Sequence, residues 1–417
     1  MPITAQVSII IPALNKWDLT KDCLRSLREH SPLEDCEIIV VDNGSTDSTA
    51  AELEPLGQGL FGERFRRLRH EENRDFGPAC NQGAEAASAP LLFFLNNDTL
   101  CSPGWLPPLL EALREDNGPA AVGPLLLYPD GRVQHLGVGF ALRTVSHLYQ
   151  GYPSSHPVVG KKRRLRALSA AALLLPRDLF HDCGAFCEEY RNGFEDVDLS
   201  LQIVRRGHNL RCVSQSAIFH LESQTPGRSA HERHNGEILL ARCRDLLVSD
   251  LHLHALRDGL EPALDDALSL TVLLPEADSA RLSAGARKES PAWMQEQFEA
   301  NPGWLLGARL LSKTFEKHGQ TEAALHYALK AAEIHATFET FGELLRLSRM
   351  AGHTELAAQA EATLKNFTSL YGGENPAITL LLARHQKEAW DDPVLLRLLE
   401  NKKTEIDRRL ARARVRN

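Results

Sequence analysis

Four short polar clusters could do chemistry in this chain, each set against an apolar run. Pro12-Ala13-Leu14-Asn15 follows Val7 to Ile11, and Val41-Asp42-Asn43-Gly44-Ser45-Thr46-Asp47 closes the run that begins at Glu37. A carboxylate such as Asp42 can accept the imide N–H of a pyrimidine base while backbone groups around Ala13 frame the base edge. Asn96-Asn97-Asp98 follows Leu91 to Leu95. Asp98 is placed there to hold a hard divalent cation through oxygen, and such an ion neutralises a departing diphosphate. Gly193-Phe194-Glu195-Asp196-Val197-Asp198 stands at the mouth of a helix, and His220 ends a later apolar strand. Adjacent helical side chains point ~100° apart, so one carboxylate faces a substrate while its neighbour caps the helix or holds the loop. Residue type and spacing leave Glu195 and Asp196 tied for the part of general base. Taken singly, the Asp-Asn-Gly-Ser and Asn-Asn-Asp runs are also ordinary turns.

These clusters need a scaffold that gathers strand ends. The first ~250 residues alternate β-rich runs with amphipathic helical windows, the pattern of an α/β fold with a largely parallel sheet flanked by helices. Ligands of such sheets bind beyond the carboxyl ends of the strands, so the first two clusters face one crevice. Leu19, Cys23, Leu24 and Leu27 mark one face of a helix after the first strand, with Asp18 as its cap. Pro78 suits the first turn of a helix reaching about Ala87. A further unit is predicted from Ala167 to Leu175, with helices near Arg177 to Cys183 and Val197 to Arg206.

Beyond about residue 255 strand signals thin out. Leu311, Phe315, Gly319, Ala324, Ala328 and Ala331 share their spacing with Leu344, Ser348, Gly352, Ala357, Glu361 and Leu364. Small residues let paired helices pack closely and each glycine ends a first helix. The pattern resembles tetratricopeptide repeats, with Ser348 and Glu361 as departures. The expected organisation is therefore an α/β domain over 1–255, connecting helices over 256–290, and an all-α helical-repeat domain over 291–417. Seven basic residues near the C-terminus, from Lys402 to Arg416, read as a solvated capping helix.

Composition removes several classes. With 47 Lys+Arg against 55 Asp+Glu the net charge is −8, so no global field draws the chain to nucleic acid. No apolar run approaches the ~20 residues that span a bilayer, and Met1 leads into a strand without a leader pattern. The eight scattered cysteines read as reduced, in a cytoplasmic protein. A dinucleotide oxidoreductase needs G-x-G-x-x-G after strand one, where Pro12 to Asp18 holds no glycine. His231-Glu232-Arg233-His234 is one residue short of H-E-x-x-H, and His220-Leu221-Glu222 lacks the P-C-x-x-C of a deaminase. Ser223, Arg228 and the histidines after them read as a lid, and Lys161 to Arg166 as a solvated basic loop.

The segments VSIIIPALNKWDLTKDCLRSL, IIVVDNGSTDST, NRDFGPACNQG, LLFFLNND, LSAAALLLPRDLF and NGFEDVDLSLQIVRRGH together resemble family 2 glycosyltransferases of GT-A fold, nearest the non-processive, rhamnosyltransferase-like branch. The resemblance runs in order from about Val7 to Glu222. It implies a Rossmann-like GT-A domain and inverting transfer from a nucleotide-sugar, UDP- or dTDP-linked, with Mn2+ or Mg2+. By position it assigns Pro12, Ala13, Asn15, Asp42, Asn43, Gly77, Asn81 and Asn97 to the donor nucleotide. Asp98 and His220 match the metal site and Asp196 the general base, with Glu195 beside it. Asn96 stands where the family carries the first aspartate of Asp-x-Asp, and an amide ligates a divalent ion more weakly. That departure keeps open an inactive transferase serving as a helical-repeat scaffold. The expected acceptor is Ser or Thr of a bacterial protein, flagellin- or adhesin-like, docked by the repeats. The alternative is a lipid-linked or surface polysaccharide, with the repeats serving homo-oligomerisation.

Overall fold

The computed structural model describes residues 5–31, 33–141, 144–221, 231–371, 383–384, 386 and 392–416. The chain divides into two compact units, 1–139 with 145–247, and 140–144 with 248–417.

In the first unit, β1 (Val7–Ala13), β2 (Cys36–Asn43), β3 (Phe65–His70) and β4 (Leu91–Leu95) form the parallel half of a sheet. β1 and β2 are sequences of β-branched residues buried on both faces, as a covered parallel strand requires. Helices α1 (Trp17–His30), α2 (Thr49–Phe61) and α3 (Phe76–Ala86) make the crossovers. β5 (Thr99–Cys101), α4 (Leu106–Arg114), β6 (Ala121–Leu127), β7 (Val133–His135), β8 (Val138–Ala141), β9 (Thr144–His147) and β10 (Ala172–Pro176) follow. Then come α5 (Arg177–Asp182), α6 (Glu195–Arg205), β11 (Leu210–His220) and α7 (Glu232–Cys243).

The strand order is β3-β2-β1-β4-β10-β6-β11-β5, with β7 on β6. The sheet is mixed rather than mostly parallel. β10 enters antiparallel between β4 and β6, and β5 and β7 also pair antiparallel. One core cluster runs under it, from Ile9, Ile11 and Val40 through Phe93 and Trp105 to Ile218. Asp18 does not cap α1: the preceding Lys16 is left-handed, Asp18 pairs with Lys21 at 2.5 Å, and Asp47 from the β2 loop accepts the Trp17 N–H at 3.0 Å.

The second unit opens with α8 (Leu251–Arg257) and the hairpin β12 (Glu261–Leu264) and β13 (Leu270–Leu273). Helices α9 (Glu276–Ala286), α10 (Pro291–Ala300), α11 (Leu305–Lys317), α12 (Thr321–Ile334), α13 (Phe338–Ala351), α14 (Thr354–Tyr371) and α15 (Pro393–Arg416) complete it. Gly319 and Gly352 follow α11 and α13 with φ of +72° and +79°, a conformation that costs side-chain-bearing residues. Of the two departures in the repeat, Ser348 turns its hydroxyl onto the Leu344 carbonyl at 2.7 Å, and Glu361 faces outward to Arg349 at 2.7 Å.

Candidate active site

The carboxyl ends of β1, β2 and β4 open onto a cleft of about 240 Å3. Pro12, Ala13 and Leu14 form one wall, and six asparagines (Asn15, Asn43, Asn73, Asn96, Asn97 and Asn192) supply most of its polar lining. Amides both donate and accept, so such walls suit uncharged base and sugar edges. Charge enters only at Lys16, Asp75 and Asp98.

Much of this lining holds loops in place. Asn15 Oδ1 accepts from the backbone N–H groups of Thr46 (2.8 Å) and Asp47 (3.2 Å), so it ties the β1 loop to the β2 loop. Asn43 donates to Asn73 Oδ1 (2.9 Å) and the Asp75 carbonyl (3.0 Å). Its own oxygen accepts from Arg74 N–H (3.0 Å) and His70 Nδ1 (2.8 Å). Burial, chiefly, holds His70 below the usual histidine range, so it stays neutral and donates through Nδ1. Asn97 donates to Thr20 Oγ1 at 2.8 Å, anchoring the third cluster to α1.

Three residues assigned to the nucleotide by position stand outside the cleft lining. Asp42 is fully buried: Oδ1 accepts from Ser45 N–H (2.9 Å), and Oδ2 meets Arg67 and Arg69 (3.2 Å to the latter). Gly77 lies under the 186–187 loop, where an added Cβ would touch the Cys187 carbonyl at 3.4 Å. Asn81 clasps that loop, donating to the Phe186 carbonyl (2.9 Å) and accepting from its N–H (3.0 Å). All three brace the surroundings of the cleft.

At the floor, β11 pairs with β5 so that His220 faces Thr99, and the Leu221 N–H donates to the Asp98 carbonyl at 2.9 Å. This register sets His220 Nε2 3.1 Å from Asp98 Oδ1. Asn96 Nδ2 approaches the same nitrogen at 3.3 Å. The other ring nitrogen, Nδ1, meets Gln134 Oε1 at 2.7 Å, so a neutral ring has its lone pair on Nε2. Asp98 Oδ1 is buried without a hydrogen-bond partner. Two lone-pair atoms so close call for a proton or a cation between them. Ligands at right angles on a cation with bonds of about 2.1–2.2 Å stand about 3.0 Å apart, so the pair fits a divalent ion. Asp98 and His220 would supply two of its ligands. Among the described residues no third His, Cys, Asp or Glu joins them.

The fourth cluster separates its three acids. Glu195 is buried and curls back onto the Gly193 N–H at 2.6 Å. Asp198 is buried against Arg242 at 2.6 Å and Gln202 at 2.8 Å. Asp196 is partly exposed, with Oδ1 on the Val197 N–H (2.8 Å) and Oδ2 on the Ala170 N–H (3.1 Å). The next residue, Ala171, accepts the Asn96 N–H at 2.9 Å, so Asp196 is tied to the segment adjoining the third cluster. His135 braces that segment by accepting the Ser169 N–H at 3.2 Å. Burial, reinforced by His147 and His220, holds His135 well below the usual range, and it stays neutral.

Sequence reasoning missed Gln134, Asn73, Asp75 and Asn192. A signal existed for the last two in the backbone but not in the sequence: Asn15, Lys16, Asp75 and Asn192 all line the cleft with positive φ (49° to 65°). Strained non-glycine residues of this kind gather at functional sites. Gln134 lies on a three-residue strand with no local pattern. Of the basic loop, Lys161 and Lys162 line a separate groove with Glu115 and Arg211. The expected lid residues Ser223 and Arg228, with Glu222, lie outside the described residues.

Residues 8–146 match the family model described as Glycosyl transferase family 2. The chain is 33% identical over 229 residues to the O-antigen biosynthesis protein RfbC of Myxococcus xanthus, across 53% of this chain and 18% of that protein. It is 27% identical over 221 residues to an N-acetylglucosaminyl-diphospho-decaprenol L-rhamnosyltransferase of Mycobacterium tuberculosis, across 46% of this chain and 68% of the relative. Among solved structures, the mannosyltransferase PcManGT from Pyrobaculum calidifontis, in complex with GDP-Man and Mn2+, gives a TM-score of 0.44 at 15% identity, across 94% and 89% of the two chains. The chain spans less than a fifth of the Myxococcus protein's length. Residues 8–146 are thus a glycosyl transferase family 2 domain.

Proposed function

We propose that the chain is an inverting, nucleotide-sugar-dependent glycosyltransferase assisted by a divalent cation. The observation that carries this reading is the pairing of buried His220 with the buried Oδ1 of Asp98 at the floor of an amide-lined cleft, the aspartate lying in the segment that matches family 2. Pro12, Ala13, Asn15, Asn43 and Asn97 receive the nucleoside, and Asp42, Gly77 and Asn81 keep its walls in place. Held by Asp98 and His220, Mn2+ or Mg2+ would supply charge neutralisation for the leaving diphosphate.

Asp196 is the general base. Each of its oxygens keeps a lone pair after accepting one backbone N–H, and one of them takes the proton of the acceptor hydroxyl. The acceptor hydroxyl oxygen's electron pair forms the new bond at the anomeric carbon as the old carbon–oxygen bond breaks, its pair leaving with the nucleoside diphosphate. Glu195 holds the loop through Gly193.

The acceptor we favour is Ser or Thr of a protein, docked in the groove between α11, α12 and α13, read as tetratricopeptide-like. Arg309, Lys313, Glu339 and Glu343 line that groove with both signs of charge. The names of the Myxococcus and Mycobacterium relatives favour a second reading, in which the acceptor is a lipid-linked or surface glycan.

The test is nucleoside-diphosphate release from a panel of UDP-, dTDP- and GDP-sugars with Mn2+. One donor class should be consumed, and chelation or Asp98→Ala should stop it. Release from no donor sinks the enzyme reading and favours the scaffold.

A further inference from the structure

Gln134 makes two contacts with one residue. Its Nε2 donates to the His220 carbonyl at 3.0 Å, and its Oε1 stands 2.7 Å from His220 Nδ1. A backbone carbonyl can only accept, so the amide nitrogen must be the atom facing it. That fixes the amide's orientation and leaves Oε1, an acceptor, against Nδ1. A neutral His220 ring therefore carries its single proton on Nδ1, and Nε2 is the nitrogen that faces Asp98 Oδ1, 3.1 Å away. Gln134 is buried on β7, which pairs with β6 inside the main sheet. We propose that Gln134 is a positioning residue that selects the Nδ1–H tautomer of His220, and so makes Nε2 the nitrogen offered to a divalent cation. The proposal rests on the cation reading above. Partners that fix the tautomer and aim of a ligating histidine commonly govern metal affinity about 10–100-fold.

The whole chain, labelled with 15N-histidine and free of metal, tests the tautomer directly, with His220→Ala identifying the resonances. At a pH where the ring is neutral, wild type should carry its single proton on Nδ1. Gln134→Leu, which neither accepts nor donates, should lose that signature. Gln134→Glu, whose carboxylate still accepts from Nδ1–H once its second oxygen turns from the His220 carbonyl, should keep it. Mn2+ titration followed by electron paramagnetic resonance should give a Kd raised about 10–100-fold in Gln134→Leu, with Gln134→Glu recovering most of the affinity. A neutral wild-type ring with its proton on Nε2, or a Gln134→Leu protein with unchanged tautomer and Mn2+ affinity, overturns the proposal. A wild type that binds Mn2+ no better than His220→Ala overturns the cation site, while the metal-free tautomer spectrum still decides the part played by Gln134.

Discussion

Asp196 and Glu195 differ by one methylene and one position in sequence, yet their surroundings separate them. Glu195 is buried with its carboxylate turned onto Gly193, while Asp196 is held by two backbone N–H groups and stays partly open. Asp196→Asn keeps the size and the Val197 contact but cannot take a proton. It should lower kcat by about 10²–10⁴-fold, the usual worth of a general base, with the donor KM nearly unchanged. Glu195→Gln can still accept from Gly193 and should stay within a few-fold of wild type. Steady-state kinetics on both variants checks the assignment, and equal losses would reject it. The types of these residues were legible in the sequence, and their division of labour was not. Which acid turns inward depends on Phe194 adopting φ of 72° and on Arg242 arriving from α7 to meet Asp198. The same holds for Asp42, whose burial comes from Arg67 and Arg69 on the adjacent strand.

At the scale of elements, β1, β2 and β4 announced themselves as apolar runs and α1 by its spacing, because burial on a covered sheet leaves few other sequences, whereas the arginine-rich β3 gave no such run. The antiparallel entry of β10 was not legible, since strand direction is set by the chain's path and not by side-chain type. Close contacts between elements are similarly hidden, and glycines report them. Gly83 on α3 faces β1 so closely that an added Cβ would meet Ile10 Cγ2 at 2.4 Å, whereas Gly59 on α2 has nothing within 4 Å. Gly83→Ala must push α3 off the strand whose end forms the cleft wall, and should cost about 1–3 kcal/mol. Gly59→Ala removes chain entropy without a clash and should gain about 0.5–1 kcal/mol. Denaturant unfolding of both variants reads the difference, and equal effects would mean that α3 does not pack this tightly.

For the whole molecule, the acceptor question turns on the second unit. The change in composition near residue 255 showed that the chain alters character, but the membership of residues 140–144 in the second unit is non-local and leaves no sequence pattern. Removing everything after about residue 290 would be a poor test of docking, because Leu282 shares one core cluster with Met294, Phe298 and Trp304 and would be stripped of cover. A surface charge is cleaner. Lys313 is exposed on the groove of α11, with no ion pair among the described residues, while neighbouring Arg309 meets Glu339 and Glu343 meets Arg346. If a polypeptide acceptor lies in this groove, Lys313→Glu should lower kcat/KM for that acceptor by about two- to fivefold, the size of an exposed charge worth up to ~1 kcal/mol. The effect should shrink as salt rises, since such a charge is screened within ~10 Å at 0.1 M. Donor hydrolysis in the absence of acceptor should be unaltered. Unchanged transfer at low salt would remove the groove from acceptor docking and move the weight to a glycan acceptor at the cleft itself.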